Sequence, residues 1–139
     1  MKAGIIKSFS SMLLILFCNG ILGQTVPQGI NYQAVARDNF KQELSDREID
    51  VMFSIIFDNP VGTVVYREVH SKVKTSKYGV FSLVIGKGEP CGGTCSSFSD
   101  IAWETAGHYL KVEVKFSNDF IDMGTMQFLA VPYALYAQK

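Results

Sequence analysis

No apolar run in this sequence reaches the ~20 residues that a membrane-spanning helix needs, and no segment repeats at a helical period. An excess of charge is missing too. Thirteen basic residues meet 13 acidic ones, for a formal net charge of zero. That balance leaves no basic stripe for nucleic acid and no acidic solvating tail. Histidine is scarce, with two in 139 residues. Neither His70 nor His108 stands beside a serine or cysteine in a nucleophile motif, which argues against a hydrolase. His70 lies between charged residues and reads as part of a solvated strand face. His108 follows Gly107 and reads as a loop residue. The carboxylates of Asp38, Asp50, Asp58, Asp100, Asp119 and Asp122 are spread across turns without an Asp-x-Asp-x-Asp series. Their expected work is turn capping, and Asn118, Asp119 and Asp122 form the best calcium candidate. No cofactor is implied, and there is no internal repeat or low-complexity tract.

Cysteine is also sparse, at three. Cys18 belongs to a leader with Lys2 and Lys7 in front, the apolar run Met12–Cys18, and Ile21-Leu22-Gly23 behind. These are the parts of a secretory signal peptide, residues 1–23, cut after Gly23, with Gly20 as the alternative. Phe17 stands where lipidation of Cys18 would need a small residue. The mature domain then spans residues 24–139 and is exported: extracellular, at the cell surface, or periplasmic. Cys91 and Cys95 remain in an oxidising compartment, bracketing Gly92-Gly93-Thr94. A local disulfide is expected between them. The alternative is a metal pair with His108, for which further ligands are missing.

What the chain has in quantity is alternation. Glu48–Phe57 places Ile49, Val51, Phe53, Ile55 and Phe57 on one side, five large apolar residues at period two. Tyr109–Phe116 sends Leu110, Val112, Val114 and Phe116 inward and Lys111, Glu113 and Lys115 outward. Val80–Gly86 puts Phe81, Leu83 and Ile85 inward, and Ile30–Arg37 and Met123–Ala130 read as first and last strands. Thr63–Lys74 has two phases. Val65, Val69 and Val73 share one face, while Tyr66 shares the other with Glu68, His70, Lys72 and Lys74. Such a strand is expected to bend or carry a bulge. Lys87–Asp100 reads as the longest irregular stretch, and Ile101–Glu104 as one helical turn or a short edge segment. The expected fold is all-β: a single antiparallel sandwich of about seven strands, immunoglobulin-like or transthyretin-like, with a short C-terminal helical stub over 132–139.

Three blocks carry a resemblance: Pro27–Asp38 (PQGINYQAVARD), Val64–Gly88 and Asp122–Ala137 (DMGTMQFLAVPYALYA). Together they resemble the N-terminal β-sandwich module of secreted and surface Bacteroidota proteins that often precedes tail-fibre-like or collagen-like stalks. Tyr78-Gly79-Val80-Phe81 is similar to the turn-into-strand of transthyretin-like and carboxypeptidase-regulatory modules. The resemblance implies an accessory, non-catalytic role and no enzyme activity.

Two sets of residues could then meet a partner. Pro132 fits the first turn of a helix, and Tyr133, Leu135 and Tyr136 lie on a stub with small Ala134 and Ala137. Those aromatic and aliphatic side chains either fold back onto the sandwich or dock a protein partner or a second copy. Trp103 and Tyr109 are the candidates for a glycan or other ligand, because aromatic rings stack on sugar faces; core packing is the competing use for Trp103. The sequence therefore points to a structural or assembly module working through sheet edges and the stub, with a carbohydrate- or ligand-binding sandwich as the alternative. Neither reading needs nucleic acid or a membrane span.

Overall fold

The computed structural model describes residues 28–105 and 107–129. The expected signal peptide 1–23 and the expected stub 132–139, with Tyr133, Leu135 and Tyr136, lie outside the described residues. The strands are β1 (Ile30–Val35), β2 (Glu48–Phe57), β3 (Thr63–Lys74), β4 (Val80–Ile85), β5 (Glu89–Gly92), β6 (His108–Lys115) and β7 (Phe120–Gln127), with a 3-10 turn at Phe98–Asp100. All pairings are antiparallel. One sheet has the order β5-β3-β2-β6-β7, and β1 pairs with β4 in a second, two-stranded sheet. The chain is thus all-β and sandwich-like, as the alternation predicts. Among the described residues no helix is long and apolar enough to cross a membrane.

The period-two rows form the core. Ile49, Val51, Phe53 and Ile55 of β2 and Leu110, Val112 and Val114 of β6 are buried beside Phe81 and Ile85 of β4. Tyr32 of β1 meets Phe53 edge-on at 5.1 Å, joining the two sheets. Fully burying a side chain of this size contributes about 1.5–3 kcal/mol, so these rows dominate the stability. Turn chemistry closes the ends. Asp38 Oδ1 accepts the N–H groups of Phe40 and Gln42, and Ser76 Oγ accepts those of Tyr78 and Val80.

β3 resolves its two phases with two bulges against β2. Ile49 pairs with Val73 and Val51 with His70, so Asp50 faces two residues, Ser71 and Lys72. Lys72 adopts φ 57° there and donates its N–H to Asp50 Oδ1 at 3.0 Å. Val65 is the extra residue at the second shift, between Tyr66 and Val64. Val65, at the second bulge, and Val73, beyond the first, both pack against the core. Between them, the inward row is Tyr66, Glu68 and His70. The solvated face expected for His70 is therefore corrected: its row faces the second sheet.

Two further expectations change. The stretch Lys87–Asp100 is not all irregular, because β5 adds to β3 through Arg67↔Gly92, Glu68↔Pro90 and Val69↔Glu89. Pro90 is tolerated because β5 is an edge strand and needs hydrogen bonds on one side only. His108 is not a loop residue but the buried head of the inward β6 row. The turn at 98–105 begins earlier than the helical reading of Ile101–Glu104, with Trp103 N–H donating to Ile101 O.

Candidate functional site

The inward row of β3 builds the most unusual polar arrangement in the domain. Glu68 is fully buried, yet both carboxylate oxygens are satisfied. Oε1 accepts from His70 Nε2 at 2.8 Å and from the Gly86 N–H at 2.9 Å. Oε2 accepts from the Tyr66 hydroxyl at 2.8 Å and from the same N–H at 3.0 Å. A buried carboxylate is costly unless donors replace its water, and here three groups supply them. Acceptance of the imidazole N–H fixes the His70 tautomer, with the proton on Nε2. Burial pushes the Tyr66 phenol well above its ordinary range, and the adjacent Glu68 charge adds to this. Gly86, at φ +100°, has Phe98 against its back, 3.0 Å from where a Cβ would lie. A glycine is what lets this N–H turn toward Glu68.

His70 is the one member of the network that reaches a cleft. Its ring lies edge-on to Phe53 at 5.6 Å, and its other side opens on a groove of about 580 Å³. Residues 31–33 of β1 and 82–84 of β4 line that groove with Lys87. An adjoining groove of about 360 Å³ shares His70, Leu83 and Lys87 and extends toward Glu89 of β5.

The residues singled out by sequence lie elsewhere and do not form one site. Trp103 packs on His108 at 5.0 Å and on Phe98 and Phe128 at 5.6 Å, closing one end of the core. Tyr109 follows the inward His108, so its side chain takes the opposite face of β6. Cys91 is an exposed free thiol, and Cys95 is a half-buried one whose Sγ lies 3.6 Å from Asp100 O. The expected disulfide is not formed in this structure. Each cysteine is tied to β3 separately, Cys91 within β5 and Cys95 through its N–H to Val65 O at 2.7 Å. Asp122 of the calcium candidate accepts the Gly124 N–H at 2.8 Å and lies 4.0 Å from Lys111 Nζ. Among the described residues no group of three or more His, Cys, Asp or Glu side chains could hold a metal ion.

His108 makes a pH prediction. Burial against Phe57 and Trp103 lowers its pKa below the ordinary 6.5, and Glu104 opposes this in part. The unfolded chain therefore takes up a proton near pH 6.5, while the folded chain does so only at lower pH. Stability from the neutral ring is present above that value and is lost as pH falls through the folded pKa. The loss can be no steeper than about 1.4 kcal/mol per pH unit. Urea midpoints at pH 7.5, 6.5 and 5.5 are expected to fall less in His108→Gln than in the parent chain; equal declines would contradict this assignment.

Sequence reading missed Tyr66, Glu68 and Gly86 as a unit. The signal was present as Tyr-x-Glu-x-His, three polar groups at period two on one strand face. Fold and site together define an all-β, sandwich-like domain with a polar network locked between its sheets. The chain belongs to the family described as Domain of unknown function (DUF8740), whose model matches residues 31–127. That span runs from β1 to the last residue of β7, so the match covers both sheets and the residues of the Glu68 network in this chain. No curated protein and no solved structure matches the chain.

Proposed function

We propose that this chain is a non-catalytic, exported module that assembles surface or extracellular proteins through a sheet edge and the segment after β7. The observation that carries this reading is the position of β7. Among the described residues it is the outermost strand of the five-stranded sheet and pairs on one side only, with β6, and in sequence it runs on toward residues 130–139. Its C-terminal half is exposed, and Met126 and Leu129 present apolar side chains to solvent. An unpaired strand edge followed by an apolar segment suits strand addition by a protein partner or a second copy. Tyr133, Leu135 and Tyr136 on a helical stub would then dock against that partner. The finer architecture in this reading is the transthyretin-like sandwich of Bacteroidota surface modules. The Glu68 network supports a scaffold role, because all its buried polar atoms are spent on one another.

Solution mass tests the reading. The mature chain is expected to associate at micromolar concentration, and removal of Tyr133–Lys139 is expected to return it to a monomer. Identical monomers with and without those residues would overturn the assembly role.

A further inference from the structure

We propose that the groove beside His70 is a binding site for a small carboxylate-bearing molecule, a sugar acid or a simple organic acid, held by Lys87 and His70. Among the described residues no Asp or Glu lines the main groove. Its charged or chargeable groups are the Lys87 ammonium and the His70 imidazole, and both also line the adjoining groove. Among the described residues no carboxylate pairs with Lys87 Nζ within 4.0 Å. Its stem passes the residue before β1, with Cε 4.0 Å from where a Cβ on Gly29 would lie, and it lines the groove together with Asn31.

Asn31, Gln33 and Ser82 alternate with Tyr32 and Leu83, so they stand on the solvent face of the β1–β4 sheet and mark the outer rim of the groove. Tyr32 and Leu83, turned toward the core side, supply apolar wall for a ligand's carbon skeleton. A partly apolar cleft of this volume with a few chargeable groups is the general form of a small-molecule site.

Glu68 explains the orientation of His70. With Nε2 committed to Glu68 Oε1, the ring cannot turn, and Nδ1 is the atom left for a ligand. A carboxylate can be bonded at Nδ1 only by a ring that carries a proton on both nitrogens, and such a ring would stand between two carboxylates, the buried one behind it and the ligand's in front. That pairing neutralises Glu68 and gives the ligand a charge-assisted bond. A buried ion is often replaceable by apolar residues without loss of stability, so stability alone does not account for Glu68, and its contact with His70 fits a positioning role.

The test is an NMR titration of the mature chain with sodium glucuronate, sodium succinate and glucose. Glucuronate is expected to shift the His70 ring and Lys87 signals saturably, with Kd of about 1 mM or tighter, and glucose to leave them unmoved. A stronger response to glucuronate than to succinate assigns the sugar acid; the reverse assigns the simple acid. Lys87→Gln removes a side chain that plays no part in the core and is expected to weaken binding about tenfold or more, the weight of one charge-assisted bond. The proposal is overturned if neither carboxylate shifts His70 and Lys87, if glucose acts equally, if the shifts scatter without saturating, or if Lys87→Gln binds as the parent does. None of these outcomes bears on the solution mass, so the site and the assembly role stand or fall separately.

Discussion

Glu68→Ala is expected to destabilise the chain by about 3–4 kcal/mol, because it strands the Tyr66 hydroxyl and the Gly86 N–H, at about 1–3 kcal/mol for each unsatisfied buried group. His70 contributes less to the loss, since it is partly open to the cleft and can turn to water. Glu68→Gln keeps the shape and one good acceptor, and should cost about half as much. Its amide nitrogen still faces a donor, unless the Tyr66 hydroxyl rotates to accept from it. Tyr66→Phe combined with Glu68→Gln should therefore show a coupling of about 0.5–3 kcal/mol, as groups in one network do. Urea unfolding with an unchanged m-value measures all three. A loss below about 1 kcal/mol for Glu68→Ala would mean that water enters and repairs the site, and that the network is looser than its distances imply.

Gly93→Ala is the second large effect, with Gly92→Ala as its control. Gly93 has φ +98°, and a Cβ there would lie 2.6 Å from the Tyr66 Cα and N. Those are backbone atoms in the middle of β3, so the neighbour cannot swing away. Strain at such a φ alone costs about 1–3 kcal/mol, and relieving the overlap must push the loop off the sheet. A total of about 2–4 kcal/mol is expected, with loss of hydrogen-exchange protection at the Cys95 amide, which bonds Val65 O two residues further on. At Gly92 the nearest atoms to an added Cβ belong to the Arg67 side chain, at 3.7 and 3.8 Å. Gly92→Ala should stay within about 0.5 kcal/mol of the parent. Equal effects at the two positions would show that the loop is not seated on Tyr66.

The contrast between these two glycines shows where sequence reading stops. Both sit between the cysteines, and nothing local separates them; the strand that crosses behind Gly93 does. The same holds for Glu68. Its burial depends on a donor at Gly86, eighteen positions away, so alternation alone assigned it to the wet face. Lys72 takes its left-handed backbone with help from the Asp50 carboxylate across the sheet. By contrast, four of the five residues expected inward on β2 (Ile49, Val51, Phe53 and Ile55) and the clean alternation of β6 were legible, because period two and apolar size decide those faces without help from elsewhere, while Phe57 at the strand's end is only half-buried. β5 escaped notice because Pro90 and three near neighbours of glycine or cysteine carry no strand propensity; its existence is imposed by the edge of β3.

The two rims of the five-stranded sheet have opposite consequences for growth. β5 is four residues long and carries Pro90, so that rim offers few amide protons to an incoming strand. β7 is eight residues long, and its rim, unpaired among the described residues, is unblocked by proline. A copy that adds at β7 can therefore be met by the β7 of another copy, but not readily by a β5. Pairing like with like closes on itself after two chains, under a two-fold axis, whereas joining unlike rims would propagate into a filament. Under the proposed assembly, the proline on the far rim would work as a chain terminator and hold the sheet to a finite pair.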